Sequence, residues 1–182
     1  MDILIIVILV IVILVCLGSL FYFLTYNKYQ DYIIRINEVE SIIDNNLRNK
    51  YDLINRSISL IKANVEIEED IFEEIIKLRS RKIGNFELDR KLNEAYNEFI
   101  GLKEKHKKLN DSEELNKIDT QIKEINETLT TSINYYNKNI SSYNKLLKSF
   151  PSNIIALLCK YKEKLFFDRK DMSDEDYEDF KL

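Results

Sequence analysis

The stretch from Leu115 to Phe150, LNKIDTQIKEINETLTTSINYYNKNISSYNKLLKSF, decides the fold. Its apolar residues Leu115, Ile118, Ile122, Ile125, Leu129, Ile133, Tyr136, Ile140, Tyr143, Leu147 and Phe150 alternate steps of three and four, with one four-four step at Leu129. Helical residues three or four apart share a face, so this is a heptad seam with a single stutter, and it requires partner helices to cover it. Asp111 is the expected N-cap, with Glu114 as its reciprocal partner in a capping box. Pro151, which cannot continue a helix, closes the seam.

The partners are legible upstream. Gly84 breaks the chain, Asn85 is the expected N-cap of a helix with Glu87 and Asp89 near its start, and Lys103, Lys105, Lys107 and Lys108 gather at its end. That charge order complements the helix dipole. Asn110 closes the stretch. The same order recurs just before Gly84, where Glu66, Glu68, Glu69 and Asp70 are followed by Lys77, Arg79, Arg81 and Lys82, so a separate helix is expected over residues 66–82. Asn64 is then expected in the left-handed conformation that ends the helix before it. That first helix carries its own stripe: Tyr26, Tyr29, Ile33, Ile36, Ile43, Leu47, Ile54, Ile58 and Ile61.

Residues 27–62 and 113–148 are 36 residues each, or about 54 Å as helices, while the two between them are roughly half as long. The expected fold is therefore all-α: an antiparallel up-down four-helix bundle within residues 25–167, two long helices running its height and two short ones forming a hairpin on its far half. An extra short helix follows Pro151. The apolar segment Ile154 to Phe167, interspersed with Lys160, Lys162 and Lys164, has two readings. It packs beside the half of the bundle that the hairpin leaves uncovered, or it meets lipid at the headgroup level.

The first helix begins well before Tyr26. From Ile3 to Leu24 every residue but Gly18 and Ser19 is apolar, and no charge lies between Asp2 and Lys28. Such a helix is about 33 Å long against a hydrocarbon core of about 30 Å, so residues 3–24 are expected to span a membrane and to continue into the bundle. The only charge before the run is Asp2, whereas a cleaved signal peptide wants a basic start and a shorter apolar core. Val15 before Cys16 does not fit a lipoprotein site, where a small residue is required. Lys28 and Arg35, the nearest basic residues, both follow the span, which expects a short N-terminus outside and the bundle in the cytoplasm, as a single-pass protein of the cell membrane.

Composition sets limits on the rest. Three glycines and one proline in 182 residues exclude turn-rich sandwiches, barrels and dinucleotide-binding folds. Two cysteines far apart form no disulfide framework. Residues 168–182 hold seven acidic and three basic side chains, a net of −4 equal to that of the whole chain, and are expected to be a disordered acidic tail. The remainder is neutral, which argues against nucleic acid binding. There is no phosphate-binding loop, no metal-ligand spacing and no nucleophile beside a base; no cofactor and no small-molecule substrate is expected. His106 is a lone surface histidine among lysines. Glu69 and Glu73 share a helix face, but acidic helix starts look the same for electrostatic reasons alone. Asn-x-Ser/Thr triplets at Asn55 and Asn139 arise by accident in so asparagine-rich a chain.

One feature is distinctive: the pair Tyr-Asn at Tyr26-Asn27, Tyr96-Asn97, Tyr136-Asn137 and Tyr143-Asn144. The last two are seven apart, so their tyrosines share the seam and their asparagines lie together at its edge. Buried Tyr and Asn need hydrogen-bond partners, so such layers either fix helix register or line a polar groove that receives a partner. The candidate interaction or register residues are Tyr26, Asn27, Tyr136, Asn137, Tyr143, Asn144, Phe150 and Pro151.

The block YYNKNISSYNKLLKSFPSNIIA, Tyr135 to Ala156, resembles the C-terminal signature of the LemA family of bacterial membrane proteins. The N-terminal half is similar too: a single span, Tyr26-Asn27, then Asp52-Leu53-Ile54 where the family has Asp-Leu-Ile-Pro-Asn, Glu68 in its His-Glu dipeptide, and Arg79. Asn55, Ala63 and Ile67 stand in the family's proline, glycine and histidine positions. The resemblance covers residues 1–167 and implies an antiparallel four-helix bundle, a short extracellular N-terminus and no established catalytic activity. The expected function is a non-enzymatic, membrane-anchored scaffold in envelope upkeep or membrane-linked signalling, its partners the lipid bilayer and an unidentified protein. A self-associating, membrane-shaping homo-oligomer and a ligand-sensing bundle that signals through the span are the alternatives.

Overall fold

The computed structural model describes residues 2–66, 72, 75 and 84–167. Of the expected helix over 66–82 only residues 66, 72 and 75 are described, and the Glu69/Glu73 pair and the acidic tail over 168–182 lie outside the described residues. Every regular element described is a helix: α1 (Asp2–Asn64), α2 (Asn85–Lys105), the single turn α3 (Lys107–Asn110), α4 (Glu113–Lys148) and α5 (Ser152–Leu158).

Helix α1 is unbroken for 63 residues. Its first part, from Ile3, is apolar enough and long enough to cross a membrane, and its apolar side chains are exposed on all sides. From Tyr29 onward only one stripe is buried: Tyr29, Ile36, Val39, Ile43, Leu47, Ile54, Ile58 and Ile61. Uniform apolarity therefore gives way to amphipathicity within one helix. Asn64 is the last helical residue, but it is not in the left-handed region; its side-chain Nδ2 instead donates 2.8 Å to the Leu60 carbonyl. An asparagine at a helix end has both options, and here it bonds back one turn.

Two other ends differ from expectation by one position. Gly84, extended at φ −73° and ψ 156°, is the N-cap of α2, so Asn85 is its first helical residue. Ser112, not Asp111, caps α4: its Oγ accepts from the Leu115 N–H at 3.4 Å, and α4 starts at Glu113. A hydroxyl one residue closer to the helix outcompeted the carboxylate for the same orphan N–H groups. The basic run after α2 is interrupted at His106, whose extended backbone separates α2 from α3.

The seam of α4 faces inward as read. Leu115, Ile118, Ile122, Leu129, Ile133, Ile140 and Tyr143 are buried, with Ile125, Tyr136 and Leu147 half-buried. Phe150 departs from it. Helix α4 ends at Lys148, the Phe150–Pro151 peptide is cis, and the Phe150 ring is 80% exposed. On the outer face of α4, Thr120, Thr128, Thr130 and Thr131 each donate to the carbonyl four residues back.

The described residues fall into two compact units, one within 2–38 and 136–166, the other within 39–66 and 84–135. In the first, Tyr29, Ile36, Ile140, Tyr143, Ile155 and Ala156 form a buried cluster flanked by Tyr32, Ile33, Tyr136, Leu146, Leu147 and Tyr161. In the second, the stripe of α1 below Val39, the inner face of α2 and the first half of the α4 seam are buried.

Candidate functional site

In the first unit, polar atoms are organised around Tyr29. Its hydroxyl shares one proton between the Leu146 carbonyl at 3.0 Å and the Ser152 carbonyl at 3.3 Å, while its ring meets Tyr143 edge-on at 5.8 Å and Tyr161 at 4.9 Å. The Leu146 carbonyl belongs to the last turn of α4, where no helical N–H remains for it. Ser152 Oγ reaches the same carbonyl at 2.6 Å and that of Ser149 at 2.8 Å, so the turn through Phe150-Pro151 is closed by one hydroxyl from α1 and one from α5.

Asn144 holds the other end of this unit. Its Nδ2 donates to the Lys164 carbonyl at 2.8 Å and its Oδ1 accepts from the Lys164 N–H at 3.0 Å. The amide side chain thus pairs with an irregular segment as a neighbouring strand would. Gln30 Nε2 donates to the Tyr161 hydroxyl at 2.7 Å. Between these anchors α5 ends in a Schellman arrangement, with Tyr161 N–H on the Ala156 carbonyl and Lys160 N–H on the Leu157 carbonyl. Lys160 occupies the left-handed position, φ 55°, the only non-glycine residue to do so among the described residues. Burial pushes the Tyr29, Tyr143 and Tyr161 hydroxyls above their ordinary range, Tyr161 to about 12.

Of the candidate residues, Tyr136, Tyr143 and Asn144 come together in this unit. Tyr26 stacks on Tyr22 at 6.0 Å, Asn137 is half-buried, and Asn27, Phe150 and Pro151 are exposed. Tyr29, Ser152 and Tyr161 are equally part of it and were not singled out. Tyr29 belonged to the stripe, and Ser152 stands in the FPSN block, so both carried a signal. The Tyr161 partnership carried none.

The second unit contains two charged clusters and an open groove. Lys50, completely buried in the stripe of α1, places Nζ 2.8 Å from Asn93 Oδ1 and 3.7 Å from Asp89 Oδ1, both on α2. Asp119 on α4 accepts from the Tyr96 hydroxyl at 2.7 Å, Lys103 at 3.1 Å and Lys123 at 3.2 Å, and Lys103 also lies over the Phe99 ring. Burial pushes the Asp119 carboxyl up, but these three hydrogen bonds outweigh it and hold the group below its ordinary value. Burial and the Asp119 carboxylate together raise the Tyr96 hydroxyl. The groove is lined by Asn49, Asp52, Leu53 and Arg56 of α1 and by Gln121, Glu124 and Ile125 of α4. Asp52 and Leu53, two residues of the recognised Asp-Leu-Ile stretch, therefore face an opening, whereas Ile54 is buried in the core.

No curated protein and no solved structure matches the chain. A family model, that of the LemA family, matches residues 39–178. The match begins beyond the apolar run and takes in the groove residues, both charged clusters and the block from Tyr135 to Ala156. The chain belongs to the LemA family.

Proposed function

We propose that this protein is a non-enzymatic scaffold that holds a helical interaction domain at the cell membrane, in envelope upkeep or membrane-linked signalling. One observation carries the reading: the apolar run and the buried stripe are parts of a single helix, Asp2–Asn64, so anchor and core are not joined by a linker. On this reading α1 crosses the bilayer once, with a short N-terminus outside and the domain in the cytoplasm, the side favoured by Lys28 and Arg35. The domain is an antiparallel up-down four-helix bundle completed by α5. The groove beside Asp52, Arg56, Gln121 and Glu124 is the surface offered to a protein partner, because it presents both charge signs beside the apolar Leu53 and Ile125.

Proximity labelling from the C-terminus in living cells tests the proposal. A defined set of neighbours is expected with the parent chain, and its loss is expected in an Asp52→Lys, Arg56→Glu variant that melts like the parent. Unchanged labelling in that variant overturns the groove as the docking surface. Cysteine labelling at position 106 in intact cells tests the orientation, since a cytoplasmic domain is protected from an impermeant reagent.

A further inference from the structure

Helix α5 has two apolar faces. Ile155 and Ala156 are buried in the tyrosine cluster, yet Ile154, Leu157 and Leu158 on the outside are 48%, 80% and 66% exposed. Positions 154, 157 and 158 follow i, i+3, i+4 spacing and share one side of the helix. An outward face of this kind on a short helix next to a charged segment is the pattern of an element that lies in a membrane interface.

The position of α5 along α1 identifies what covers that face. Cys159, the residue after Leu158, has its Sγ 4.0 Å from the Tyr22 hydroxyl. Tyr22 is two residues inside the end of the apolar run at Leu24, about 3 Å by helix rise. Two residues further on, Tyr161 accepts from Gln30, beyond the run. The chain therefore leaves the level of the hydrocarbon edge at Cys159 and reaches the level of the first polar turns of α1 at Tyr161. Exposed Lys160 falls along this rise and exposed Lys162 directly follows it, at the headgroup layer of about 5–7 Å that flanks the hydrocarbon on each side. Lysines there meet lipid phosphates, and leucines just below them meet acyl chains.

We propose that the Ile154, Leu157 and Leu158 face of α5 is a second membrane contact, seated in the headgroup–acyl boundary of the leaflet in which the apolar run of α1 ends. The bilayer is its occupant, and the inference rests on the reading of α1 as a spanning helix.

The chain has no tryptophan, so single Leu157→Trp, Leu158→Trp and Phe23→Trp variants each carry one fluorophore. The full chain is reconstituted in phosphatidylcholine–phosphatidylglycerol vesicles, with and without bromine on the acyl chains. Bromolipid is expected to quench Phe23→Trp, and to quench Leu157→Trp and Leu158→Trp by roughly half, as suits a ring about 5–10 Å into the boundary. Quenching at position 23 with none at 157 and 158 overturns the inference and leaves the spanning helix standing. It does so whether iodide reaches the rings, meaning water, or fails to, meaning a protein cover such as a second copy. No quenching at position 23 overturns both.

Discussion

The Lys50 ammonium stands 3.7 Å from the Asp89 carboxylate with both side chains sealed from solvent. An ion pair so placed has given up its hydration on both sides, so its members depend on each other far more than an exposed pair does. Asp89→Ala is expected to destabilise the full chain by about 3–5 kcal/mol, because it removes the counter-charge of a buried ammonium and leaves the neutral Asn93 amide to meet it. Lys50→Met combined with Asp89→Leu is expected to recover most of that loss. Chemical unfolding in detergent micelles followed by circular dichroism measures both, and equal destabilisation by the single and double variants would contradict the coupling.

The Tyr29 hydroxyl serves two carbonyls at the α4–α5 turn. Tyr29→Phe keeps the ring contacts with Tyr143 and Tyr161 and removes only these bonds, at an expected loss of about 1–2 kcal/mol. The same unfolding measurement reads it. A variant as stable as the parent would mean that Ser152 alone satisfies the turn.

Lys160 is held at φ 55° without being a glycine. A side chain in that region costs roughly 1 kcal/mol, which glycine avoids. Lys160→Gly is expected to raise the unfolding midpoint accordingly, and a lowered midpoint would show that the lysine side chain makes a compensating contribution.

Asp119 gives the chain an acid limit. Its folded pKa lies below the ordinary 3.8, so its contribution to stability is complete above that value and is lost as pH falls through the lower folded one. Asp119→Asn is expected to flatten the acid limb of a stability–pH curve while lowering the plateau near neutrality. An unchanged acid limb is the contrary result.

The tyrosines give an alkaline limit of opposite sign. Tyr161, raised to about 12, stabilises the fold fully below its ordinary value of 10.0, and this contribution is lost as pH rises through about 12. Tyr29, Tyr96 and Tyr143 move the same way. Spectrophotometric titration is expected to show a late tyrosine step that coincides with unfolding. In Tyr161→Phe the late step is expected to shrink.

Periodicity delivered the helices because each must bury a stripe, and stripes are written in apolar residues. Helix α4 spans Glu113–Lys148 and buries its seam up to Tyr143, leaving only Phe150 outside it, and most of the buried positions of α1 follow the steps from Tyr29 to Ile61. The charged clusters escaped for the same reason. Lys50 fills the step between Leu47 and Ile54, where a count of apolar residues records a gap, and Lys103 reads as one of the lysines that complement a helix end although it is buried against Asp119. Their partners are on other helices, and spacing within one helix does not name a partner on another. Asn144 was legible as a residue that needs a partner, but the partner, the backbone of Lys164, has no side-chain signature at all.

That amide joint has a chemical lifetime of its own. Asn144 works because one end of its side chain gives a proton and the other takes one, matching the N–H and C=O of Lys164. Hydrolysis of the amide to a carboxylate keeps the bond from the Lys164 N–H but replaces the donor by a second acceptor facing the Lys164 carbonyl oxygen, so one of the two bonds becomes a repulsion. A change of one nitrogen to oxygen would therefore weaken the docking of the segment after Tyr161 without breaking the chain.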